Sequence, residues 1–95
     1  LLYIEAEDNY ICVSYLAGKN VKNMMVRTTL KRVAEQLDSE RIVRCHRSYL
    51  VNTDHIKVLR KEKDGFYIEM GIDNVPDIPI SKTYGESIIK LMMKY

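Results

Sequence analysis

The chain has 95 residues, 15 of them Lys or Arg and 13 Asp or Glu, with a formal net charge of +2. That length and an ordinary apolar content fit one small globular unit with a limited core, and they exclude a disordered tail. No apolar run approaches the roughly 18 residues of a membrane-spanning helix.

Residues 2–6 form the first predicted strand, with Leu2, Ile4 and Ala6 alternating with Tyr3 and Glu5. Glu7-Asp8-Asn9 is a tight acidic turn. Residues 10–16 are a continuous β-rich run, Gly18-Lys19-Asn20 turns the chain, and residues 21–27 return as a strand. The period then changes. Leu30, Val33, Ala34 and Leu37 recur at helical spacing over residues 28–37, with Thr28 or Thr29 as N-cap and no acidic residue to complete a capping box. Residues 42–45 and 49–51 are short strands, and Asn52-Thr53-Asp54 is a turn in which Asn52 is the turn former. Residues 56–63 form a strand with a basic second half, and Asp64-Gly65 signals a hairpin into the alternating strand 66–70. Pro76 and Pro79 make residues 75–80 an edge or irregular strand. Thr83 and Glu86 form a capping box, and Tyr84, Ile88, Leu91, Met92 and Tyr95 then repeat at helical spacing. The expected fold is mostly β. Small antiparallel sheets form an elongated β-sandwich-like unit with one short middle helix and a C-terminal helix. The opening Leu1-Leu2-Tyr3-Ile4 is already strand-like and carries no leader. It reads as one domain, residues 1–95, cut from a longer protein whose N-terminal part is absent.

Charge is unevenly distributed. Between Arg41 and Lys63 seven Lys or Arg face only Asp54 and Glu62, a local excess of five positive charges. Such a cluster fits a polyanion on one face, or an edge strand that uses Lys against aggregation. Catalytic chemistry finds no support. His46 and His55 are the only histidines, Cys45 and His46 point to opposite faces of a strand, and no metal-type spacing or phosphate-binding glycine loop occurs. No cofactor or metal is expected. Cys12 and Cys45 read as buried thiols in a reduced, cytoplasmic setting, or Cys45 is activated by the adjacent His46 and Arg47. Seven tyrosines and one phenylalanine lie mostly within apolar runs, which suits a core better than a base-stacking platform.

The stretch Arg44-Cys45-His46-Arg47-Ser48-Tyr49-Leu50-Val51-Asn52 puts cationic groups directly before an apolar strand. Taken with Tyr3-Ile4-Glu5-Ala6, Asn9-Tyr10, Val26-Arg27-Thr28-Thr29-Leu30 and Ile78-Pro79-Ile80-Ser81-Lys82 before Tyr84, it resembles the LytTR-type DNA-binding domain over residues 2–92. That family supplies the output domain of many bacterial response regulators. The resemblance implies that loops and strand ends read successive major grooves of double-stranded DNA. It assigns base reading to the first turn (Glu7, Asp8, Asn9), to Arg47 and to Lys82. Phosphate contacts fall to Lys57, Arg60 and Lys61. Ser48, Ser81 and the last helix's backbone N–H groups can also hold phosphates, while His46 is either structural or a phosphate contact. The resemblance further implies paired direct repeats as target, an N-terminal receiver domain, and a fragment monomeric alone but dimeric on DNA. Lys82 stands where the family usually has Arg, giving a point charge in place of a planar fork. A rival reading is a protein-interaction module that docks a partner through the Ile88, Leu91, Met92 and Tyr95 face of the last helix.

Overall fold

The computed structural model describes residues 1–93, with side chains to Lys90. The first hairpin joins β1 (Tyr3–Glu7) to β2 (Tyr10–Ala17), pairing Glu7 with Tyr10 across a two-residue turn. Asp8 takes φ +54 there, a left-handed conformation that Asp tolerates better than most residues. Gly18, at φ +65, allows the next turn into β3 (Asn20–Val26). Helix α1 (Leu30–Leu37) is N-capped by Thr29, whose hydroxyl accepts the Arg32 N–H at 3.2 Å. It ends on Asp38 in a left-handed conformation, and this leaves the last residue of its predicted apolar stripe, Leu37, exposed.

Strands β4 (Ile42–His46) and β5 (Tyr49–Asn52) form the next hairpin, and β5 pairs with β1, so the order is β3-β2-β1-β5-β4 in a five-stranded antiparallel sheet. After a 3₁₀ turn at Thr53–His55, β6 (Val58–Glu62), β7 (Gly65–Glu69) and β8 (Ile78–Ile80) build a three-stranded sheet in that order. The β6–β7 turn centres on Lys63-Asp64, one residue earlier than the Asp64-Gly65 signal predicts, because Glu62 pairs with Gly65. Pro79 sits on the edge strand β8, where its missing N–H is tolerated. Helix α2 (Lys82–Met93) closes the described chain. Its cap also departs from expectation. Ser81 accepts the Tyr84 N–H at 3.2 Å, and Glu86 pairs with Lys90 at 3.2 Å in place of closing a box with Thr83.

Alternation along β5 divides the core in two. Leu50 faces Ile4, Ile11 and Leu30 beneath α1, whereas Val51 faces Leu2, Cys45, Ile68, Ile78, Ile80 and Ile88. The five-stranded sheet is thus covered by α1 on one face and by the small sheet with α2 on the other. Each fully buried Leu or Ile contributes about 1.5–3 kcal/mol relative to exposure. Ile88 belongs to this core, whereas Tyr84, the first residue of the predicted α2 stripe, is exposed. The side chains of Leu91, Met92 and Tyr95 lie outside the described residues.

Candidate nucleic-acid interface

Strand direction collects four loop regions at one end of the molecule. The β1–β2 turn lies beside the β4–β5 turn, since Glu5 pairs with Tyr49 and the Ala6 N–H donates to Ser48 O at 2.9 Å. The start of α2 is tied to the same place by the Ser81 N–H, which donates to Cys45 O at 2.9 Å. Across the small sheet, Ile80 pairs with Phe66 and Phe66 with Lys61, so the β6–β7 turn arrives next to Ser81 and Lys82. Asn9, Arg47 and Lys82, three of the predicted base readers, are all exposed at this end. Asp8 lines a cleft with Tyr10, Lys31, Arg44 and Arg47. Lys61 and Lys82 line a second cleft with Phe66, Glu86, Ile89 and Lys90.

The turn that carries Arg47 is internally braced. A bulge between Arg44 and His46 adds one residue to β4 and tucks Cys45 into the core. His46 accepts the Ser48 N–H on Nδ1 at 3.0 Å, and its ring meets Tyr49 edge-on at 5.7 Å. These contacts support its structural reading. Arg44 donates from Nε to His46 O at 3.2 Å and from Nη2 to Arg47 O at 2.6 Å. Its guanidinium also lies over the Tyr84 ring at 4.8 Å. In the sequence Arg44 is the first residue of the 44–52 stretch and has no role of its own. The signal was present as an Arg three positions before an exposed turn Arg, but only the fold shows where it reaches. Ser81 is occupied with capping α2, leaving its hydroxyl half-engaged.

The basic stretch sorts into paired and unpaired cations. Arg60 holds Glu62 at 2.6 Å, Glu69 at 3.1 Å and Asp77 at 2.9 Å, and lies over Tyr67. The Asp77 hydrogen bond raises its already high pKa, desolvation opposes this, and the Glu62 hydrogen bond adds to the rise. A guanidinium so enclosed by carboxylates is a poor phosphate ligand. Lys57 precedes β6 and its side chain lies against Gly71. It is therefore about 13 Å along the strand from Lys61, at the end away from Lys82. Asn52 supports the opposite end of the sheet, donating to Leu1 O at 2.7 Å and accepting the Asp54 N–H at 3.0 Å. Burial pushes the Cys45 thiol up to about 12, with Arg44 only partly opposing it. Cys45 is therefore a protonated core thiol at neutral pH, and the activated reading does not hold. Among the described residues no cluster of His, Cys, Asp or Glu is suited to hold a metal ion. No described helix is long and apolar enough to cross a membrane.

A mostly-β unit that gathers turns and a cationic helix start at one end defines a binding domain that presents loops to its ligand. The family model described as LytTr DNA-binding domain matches residues 1–93. A response regulatory protein of Vibrio cholerae is 32% identical over 65 residues, covering 68% of this chain and 25% of that protein. The sensory transduction protein LytT of Bacillus subtilis is 28% identical over 97% of this chain and 36% of its own length. The chain thus spans about a quarter to a third of these relatives. A solved LytTr DNA-binding domain of a Bacillus cereus protein, described as a methyl-accepting/DNA response regulator, superimposes with a TM-score of 0.66. It is 28% identical, over 96% of this chain and 79% of that one. The chain belongs to the LytTr DNA-binding domain family. DNA binding is the function of this domain.

Proposed function

We propose that the chain binds double-stranded DNA sequence-specifically through its turn-bearing end, as the output domain of a cytoplasmic bacterial response regulator that controls transcription. Arg47 reads a guanine edge bidentately, Asn9 and Asp8 read from the adjacent turn, and Lys82 contributes a point charge at the start of α2. Lys61, Ser48 and the N-terminal end of α2 face phosphates, with His46 bracing the turn. Lys57 and Arg60 fall outside this set. A receiver domain lies N-terminal to this one in the full-length protein. The chain is one domain, monomeric alone, and pairs on direct repeats of DNA. The observation that carries the reading is the convergence of the 8–9 turn, the 47–48 turn and the α2 start, joined by the Ala6–Ser48 and Ser81–Cys45 backbone bonds. The partner-docking alternative is disfavoured by the burial of Ile88 in the core.

Fluorescence anisotropy tests this with duplex and single-stranded oligonucleotides over a salt series. Duplex is preferred in the expected result. Lys61→Ala flattens the log K against log salt slope by about 0.9, while Lys57→Ala and Arg60→Ala leave it unchanged. Arg47→Ala weakens discrimination at one base position by about 1–3 kcal/mol on a site selected from random sequence. Absence of duplex binding even at low salt refutes the proposal.

A further inference from the structure

We propose that Arg44 is a positioning residue for DNA reading, locking the turn that carries Arg47 onto the helix start that carries Lys82. The inference rests on the base-reading role given above to Arg47 and Lys82. Arg44 stands on β4, half-buried, at the junction of the two segments. Its Nε and Nη2 donate to the consecutive carbonyls of His46 and Arg47, at 3.2 and 2.6 Å. The same planar group covers Tyr84, the third residue of α2, at 4.8 Å. One rigid fork therefore fixes the peptide on either side of the Arg47 Cα and the first turn of α2 together. Charge-assisted hydrogen bonds and a cation–π contact both favour this arrangement. A lysine at position 44 could satisfy one carbonyl from one direction but not the pair and the ring. Of the other ties in the region, Ser48 to His46 Nδ1 lies within the turn, and Ser81 to Cys45 O joins the helix start to β4 through the backbone, short of the Arg47 peptides. Arg44 bridges them by its side chain.

The alternative role for an arginine at this place is a direct phosphate contact, and the two roles predict different measurements. The probes are a duplex enriched from a random pool by the wild-type chain and a random-sequence duplex. Positioning predicts that Arg44→Lys and Arg44→Gln each lower the ratio of selected to random binding by about tenfold, leaving the salt slope on random duplex unchanged. Tyr84→Leu, which removes only the stacking partner, lowers the ratio less. In the Arg47→Ala background, Arg44→Gln costs markedly less than alone, because a positioning group acts through the residue it positions. Amide exchange in the free Arg44→Gln chain accelerates at residues 46–49 and 81–85 together while Val51 and Ile68 stay protected. The proposal is overturned if Arg44→Gln flattens the slope by about 0.9 and Arg44→Lys restores it, the signature of a phosphate contact. An unchanged ratio, or full additivity with Arg47→Ala, also overturns it. If the pool yields no enriched sequence, the base-reading role of Arg47 fails first, and this proposal with it. Enrichment with an unaltered Arg44→Gln ratio defeats this proposal alone.

Discussion

Gly85→Ala sets local propensity against packing. Gly85 lies in the first turn of α2, its N–H donating to Ser81 O at 2.7 Å. Helix propensity alone predicts that alanine stabilises this position by about 1 kcal/mol. The surroundings reverse the sign. A Cβ at residue 85 would overlap the Ile80 Cγ2 methyl and come within 2.9 Å of Cys45 O. That carbonyl already accepts the Ser81 N–H, so it cannot retreat without loosening the helix start. Ile80 is almost fully buried, which limits its ability to move aside. Overpacking costs roughly 1–3 kcal/mol, and two close approaches at once put this site in the upper part, about 2–3, so the net destabilisation should be about 1–2 kcal/mol after the propensity gain. Urea denaturation reads it as a lower midpoint at unchanged m, and thermal unfolding as a fall on the order of 4–15 °C. Ile80→Ala alone should cost about 2–5 kcal/mol, but distinctly less in the Gly85→Ala background, where removing the methyl relieves the overlap. A Gly85→Ala chain that is more stable than wild type would refute the argument, showing that α2 does not approach β4 closely.

Asn52→Ala removes both a cap on the 3₁₀ turn and the bond to Leu1 O, and should cost about 1–2 kcal/mol by denaturation. Asn52→Asp keeps the acceptor and loses the donor, so its cost falls between wild type and alanine. Stability should also decline in alkali. Burial holds the folded Cys45 thiol near 12 against an ordinary value of 9.0, so the folded state keeps its proton while the unfolded chain loses it. The contribution is complete below pH 9 and is lost as pH rises toward 12, by at most about 1.4 kcal/mol per pH unit. Cys45→Ala should flatten that limb but not abolish it, since burial and then Glu5 also raise Tyr49 to about 12. An alkaline slope identical in both chains would refute the assignment to Cys45.

Local patterns made the element order readable. Strand alternation, the turn residues around Asp8 and Gly18, and the helical spacing after Thr29 each depend on neighbours in sequence. The strand order did not follow, because β1 pairs with β5 across more than forty intervening residues and no local signal encodes that choice. The same limit explains the α2 cap. Thr83 and Glu86 satisfy the capping-box spacing, yet Ser81 caps the helix because Cys45 O anchors its N–H from another strand. At the site, Arg47 and Lys82 were singled out by a family pattern, and the fold leaves both exposed. The contacts of Arg44 and the carboxylate partners of Arg60 were not legible for one reason: a sequence gives the charge of a residue but not which acceptors the fold brings to it.

Charge in the 41–63 stretch is therefore not equivalent to charge offered to a ligand. Arg41 pairs with Asp54 at 3.3 Å, Arg60 is enclosed by Glu62, Glu69 and Asp77, and Arg44 is directed onto carbonyls and an aromatic ring. Arg47, Lys61 and Lys63 remain at the turn-bearing end, and Lys82 joins them from outside the stretch. Exposed ion pairs such as Arg41–Asp54 are weak and give way to phosphate at little cost. The Arg60 network is different, because a phosphate would have to displace three carboxylates at once. The electrostatic contribution to DNA binding by one chain should therefore come from about four cations, not from the whole basic run. The acidic turn at Glu7 and Asp8 reduces it further. A modest phosphate attraction makes discrimination depend on how well the base-reading side chains are held, which is the task the geometry gives to Arg44.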